Sequence, residues 1–135
     1  MATRPMTIMV ITPSAETIHQ ALLTATSACS MGQKTYLYFG KEAAKALVQD
    51  QWVMFKTHNG ESAMTMDKRL EEQGLADFQL LLSGLAGMNA SLYICEQAMK
   101  EYAIDPLSLL LSPQPKPIAL SDLIVKGSGG DWLTF

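Results

Sequence analysis

Two neighbouring side chains, Cys95 and Glu96, carry the main chemical potential of this sequence. They follow Ser91-Leu92-Tyr93-Ile94, a β-type run, and open a segment to Tyr102 that reads as a helix. A thiol where a strand turns into a helix meets unpaired backbone N–H groups and the positive end of the helix dipole. Both lower a thiol's pKa and favour the nucleophilic thiolate. In open α/β sheets, reactive groups collect outside the carboxyl ends of parallel strands. Cys95 is therefore the candidate nucleophile and Glu96 the candidate proton acceptor, although a carboxylate facing the sulfur would oppose the thiolate. The plain alternative is that Cys95 packs as a small buried hydrophobe, a common fate of free cysteine.

Other reactive types lack a setting. Cys29 shares a helical stripe with Ile18, Leu22 and Ala25, which assigns it to core packing. His19 and His58 have no partner at ligand spacing and read as surface or loop imidazoles, with His58 in an unpatterned stretch that could approach a neighbouring site. Asp67, Glu71 and Glu72 read as a solvated helix face, and no set of metal ligands is apparent. Gly127-Ser128-Gly129-Gly130 lacks the Lys-Ser/Thr of a phosphate loop. Ser83-Gly84 and Ser91 lack the context of a nucleophile elbow.

The elements that must position Cys95 follow from pattern. Met6 to Ile11 is a continuous apolar run, suited to a strand buried on both faces. Thr12 is the expected cap of the next helix, with Pro13 in its first turn and Gly32 as its left-handed stop. Lys34 to Phe39 is a second strand, so strand, helix and strand form a βαβ unit with parallel strands. Lys41 to Val48 reads as a short helix. From Gln49 to Met66 no period survives, and Trp52, Met54, Phe55, Met64 and Met66 suggest an adaptable apolar loop that meets a partner or shields a site. A helical turn opens at Asp67, and a second helical piece with Phe78, Leu81, Leu82 and Leu85 on one face ends at Gly87. Short strands at Ser91–Ile94, around Ile118 and at Trp132–Phe135, with a helix near Ser121–Val125, bring the sheet to about five strands. The expected fold is α/β, a three-layer sandwich with a mainly parallel sheet.

The 135 residues make one domain over 1–135, with 48% hydrophobic and 17% charged residues. Ten Lys/Arg against 13 Asp/Glu leave a net charge of -3 without a basic stretch, which argues against a nucleic-acid partner. No apolar run approaches the ~20 residues that span a bilayer, and Met1 to Met6 does not read as a signal peptide. The two cysteines, with no CxxC, fit free thiols in a reducing cytoplasm.

Several segments together resemble the DsrE/DsrF-like family of small sulfur-relay proteins over nearly the whole chain. They are the Ala-rich helix closing on Ala28-Cys29-Ser30-Met31-Gly32, the aromatic strand Tyr36-Leu37-Tyr38-Phe39, the unit Ser91 to Met99 with Cys95 at its centre, and the ending Asp131-Trp132-Leu133-Thr134-Phe135. The resemblance implies a flavodoxin-like fold, assembly as a homo-oligomer (trimer or hexamer), and a persulfide on the strand-end cysteine, a position Cys95 matches. The Gln49–Met66 and Ser112–Pro117 segments depart from the family pattern. The expected function is a persulfide carrier that takes sulfur from a donor protein and passes it to an acceptor. It needs no cofactor, because sulfur is the cargo. Two alternatives stand beside it: an oligomeric module in which Cys95 only packs, and a small-ligand binder at the sheet's switch point.

Overall fold

A computed structural model describes residues 4–135. Five strands, β1 (Met6–Val10), β2 (Thr35–Phe39), β3 (Ser91–Cys95), β4 (Lys116–Ile118) and β5 (Asp131–Thr134), form one sheet in the order β4-β3-β2-β1-β5. Every pairing is parallel. Five α-helices connect them: α1 (Ala15–Ser30), α2 (Ala63–Glu72), α3 (Phe78–Gly87), α4 (Glu96–Glu101) and α5 (Leu120–Lys126).

Strand order and handedness decide where these helices lie. From β1 to β4 each strand is laid beside the one before it, always in the same direction, and right-handed crossovers then place α1 to α4 on one face. The connection from β4 to β5 runs back to the opposite edge of the sheet, so the same handedness sends α5 to the other face. Side chains divide accordingly. Ile8, Val10, Leu37, Phe39 and Ile94 join the large cluster with α1 to α4, while Tyr38 and Ile118 meet Leu123 of α5 in a small second cluster edged by Met9, Tyr36 and Tyr93. The sandwich has three layers, and the third is a single two-turn helix.

The close seat of α5 depends on Gly127, where a Cβ would overlap the Thr7 hydroxyl and stand 3.1 Å from the Trp132 indole nitrogen. On its outer side α5 exposes Ile124 and Val125. A helix apolar on both sides is ordinarily a covered one.

The end of α1 follows expectation: Gly32 has φ +85°, and the N–H groups of Gly32 and Gln33 donate to Cys29 and Ala28. Its start does not. The helix begins at Ala15 after Ser14, not at Pro13 after Thr12, and no side chain caps it. Ile11 and Thr12 instead donate to the Phe135 carbonyl, extending the sheet pairing, and the Lys56 carbonyl accepts from Ala15. A distant carbonyl does the work assigned to the Thr12 hydroxyl.

The stretch from Gln49 to Met66 is not an interface loop in full. Trp52–Met54 forms a 3-10 turn, α2 begins at Ala63 rather than Asp67, and Trp52, Phe55, Ala63 and Met66 are buried. Trp52 stacks on Phe78 at 4.0 Å between ring centroids. Of the apolar side chains in this stretch, Val53, Met54 and Met64 stay exposed. Asp67 also departs from the solvated face foreseen for it. Its carboxylate accepts from the Trp52 indole at 2.7 Å and the Phe78 N–H at 3.4 Å, and burial raises its pKa against those two bonds. Lys41–Leu47 is a 3-10 rather than an α-helix, with Ala43, Ala44, Ala46 and Leu47 buried.

Candidate functional site

Adjacent strands whose following helices leave for opposite faces open a crevice at their carboxyl ends. Here those strands are β3, which leads into α4, and β4, which leads into α5. Cys95 is the last residue of β3, in register with Ile118 of β4, and at once the cap residue of α4. Strand passes to helix with no residue between them. The Cys95 sulfur accepts a hydrogen bond from the Ala98 N–H at 3.4 Å. Its side chain is half-buried and touches both apolar clusters.

A cleft of about 330 Å³ opens beside this sulfur. Met9 comes to it from β1 and Ile11 from just after that strand, Tyr38 from β2 with Gly40 and Lys41 from the turn that follows it, Gln97, Ala98 and Glu101 from α4, and Leu120 from α5. Gly40 keeps the wall thin, since a Cβ there would stand 3.1 Å from the Tyr38 ring and 3.6 Å from Ile11. Burial first, and the neighbouring Cys95 sulfur second, push the Tyr38 phenol well above its ordinary value. Tyr38 is therefore a neutral hydroxyl, able to donate, at any physiological pH. Across the mouth, the Lys41 ammonium stands 3.4 Å from a Glu101 carboxylate oxygen.

Among the sequence candidates, Cys95 lies at the cleft. Glu96 is exposed and outside the cleft lining, which takes its carboxylate from Glu101 instead. Cys29 is half-buried against the main core, and His58 contacts Glu16 at the start of α1. His19 is half-buried rather than on the surface, its Nε2 2.9 Å from the Ala76 carbonyl oxygen. No cluster of metal-ligating side chains occurs among the described residues. Tyr38, Lys41 and Glu101 are additions from the structure. Gln97 and Glu101 lie four residues apart on α4, a spacing that marks one helix face. Lys41 and Tyr38 have no local signature of that kind.

No match was found among curated proteins. Among solved structures, the ychN protein from E. coli superposes with a TM-score of 0.68 at 17% identity, covering 98% of this chain and 100% of that one. A conserved protein of unknown function from Bacteroides thetaiotaomicron, BT1422, gives 0.62 at 9% identity, covering 97% and 94%. At such identities the likeness speaks for the fold. No helix among the described residues is long and apolar enough to cross a membrane. The pattern of the DsrE/DsrF-like family matches residues 6–135, and by that match over nearly its full length the chain belongs to the DsrE/DsrF-like family.

Proposed function

We propose that the protein is a cytoplasmic sulfur-relay subunit that carries a persulfide on Cys95. The observation behind this reading is a half-buried sulfur at the end of β3, with an N–H donor on it and a cleft leading to it. In the loading step the Cys95 thiolate attacks the outer sulfur of a donor R–S–SH. The Cys95 S–S bond forms, the donor S–S bond breaks, and the electron pair leaves on R–S⁻. In the unloading step an acceptor thiolate attacks the outer sulfur and Cys95 departs as thiolate. Sulfur moves without net oxidation, so the cycle needs no cofactor. The Ala98 N–H and the Tyr38 hydroxyl supply hydrogen bonds that an anionic sulfur can accept. Two free cysteines suit a reducing compartment.

Incubation with a persulfide donor, read by intact mass, tests this. A gain of about 32 Da, the mass of one sulfur, is expected for the wild type and for Cys29→Ser, and none for Cys95→Ser. Uptake on Cys29 alone, or on neither cysteine, overturns the carrier. The second reading, an oligomeric module such as a trimer or hexamer in which Cys95 packs, is favoured by the apolar outer side of α5. An intact oligomer without sulfur uptake would select it.

A further inference from the structure

Lys41 occupies a backbone conformation that lysine rarely adopts. Its φ is +48°, in the left-handed region, at the residue where the chain turns from β2 into the 3-10 segment. Strain of this kind collects at functional positions, where the surrounding structure holds it in place. Here the residue so held lines the Cys95 cleft, and it is the one cationic side chain among the lining residues, as Glu101 is the one carboxylate. Their separation of 3.4 Å exceeds the ~2.7–2.9 Å of a tight charge-assisted hydrogen bond. Both side chains are well exposed, at 65% and 44%. Such a pair is weak and exchangeable.

We propose that Lys41 is the specificity-determining residue of the cleft. It selects persulfides and other sulfur reagents that carry negative charge close to the reacting sulfur, and Glu101 is the counter-ion it leaves when they enter. With Met9, Ile11, Ala98 and Leu120 on the remaining walls, an incoming anion finds its only full positive charge at Lys41. Lys41 is well exposed, so solvent screens part of that attraction and the selection it gives is modest. In the transfer step the negative charge passes from Cys95 to the departing R–S⁻, and a cation at the mouth stabilises the group that leaves. The identity of the cargo rests on the carrier reading, whereas the charge selection does not.

The test uses iodoacetate and iodoacetamide, which differ by one negative charge and alkylate the same sulfur. Their rates at Cys95 are read site by site by peptide mass spectrometry. The iodoacetate-to-iodoacetamide ratio is expected to fall about three- to tenfold in Lys41→Met, the size of one charge acting across partly solvated space. It should rise in Glu101→Gln and return in Lys41→Arg. Because Lys and Met suffer alike at positive φ, the substitution changes charge with little added backbone strain. A ratio unmoved in Lys41→Met overturns the proposal, whatever Glu101→Gln does. A Lys41-dependent ratio without the gain of sulfur mass would remove the carrier and leave the selection. Sulfur uptake with a Lys41-independent ratio would do the reverse.

Discussion

On one face of the sheet Ile8, Leu37, Phe39 and Ile94 are sealed under the layer of α1 to α4. On the other, Met9, Tyr36 and Tyr93 meet α5 alone and remain partly open. The same strands supply both sets by alternation, with aliphatic side chains and Phe39 turned one way and Met9, Tyr36 and Tyr93 the other. Chain order decides how each face is covered, because one reversed crossover leaves a single helix for the second face. The sealed face supplies the bulk of the packing, and the open face borders the cleft. Cys95 touches both clusters, at the border between packing and reactivity.

The contrast can be broken by substitution. Phe39→Ala on the sealed face should cost about 3–5 kcal/mol in urea unfolding. Tyr36→Ala on the open face, where the ring stacks on Tyr93 at 6.4 Å, should cost no more than about 1 kcal/mol. Equal costs would abolish the distinction. Next in size, Gly127→Ala should destabilise by about 1–3 kcal/mol, because its methyl must displace α5 from Thr7. A neutral result would mean that α5 is not seated on the sheet at all.

A smaller effect sharpens the sealed side. Burial raises the Asp67 pKa from 3.8, so the folded state favours its neutral form. The stability this contributes is complete below the unfolded pKa and is lost as pH rises through the folded one. Asp67→Asn should therefore improve relative to the wild type as pH rises above the ordinary aspartate value of 3.8, measured as the difference in urea midpoints. A constant difference, or one of opposite sign, would contradict it. Smallest of all, Arg69→Gln breaks the 2.9 Å pair with Glu61 on the surface and should leave the unfolding midpoint unchanged.

Much of the fold is legible from local pattern. The alternation of apolar strands and helices, the stop at Gly32 and the place of Cys95 at a strand end depend on residues near one another. What escapes local reading depends on distant ones. The start of α1 is set by the Lys56 carbonyl, and the apparent loop around Trp52 is organised by Phe78 and Asp67. The cleft is similar, since Lys41 and Glu101 are 60 residues apart and neither position has a repeating pattern around it. The exposed Glu96 shows the limit of adjacency: the residue next to a helix's cap points along a different side from Glu101, five places on.

The pairing of β5 with β1 bears on synthesis. The ribosome releases Met6–Met9 early, but their outer-edge partners, Asp131–Thr134, emerge only after more than a hundred further residues. At about 5–20 residues per second, that edge stays bare for several seconds or longer while the rest of the sheet can assemble against its other side. A stalled or truncated chain would present unpaired amide and carbonyl groups flanked by apolar side chains, an invitation to aggregation and a natural target for chaperones.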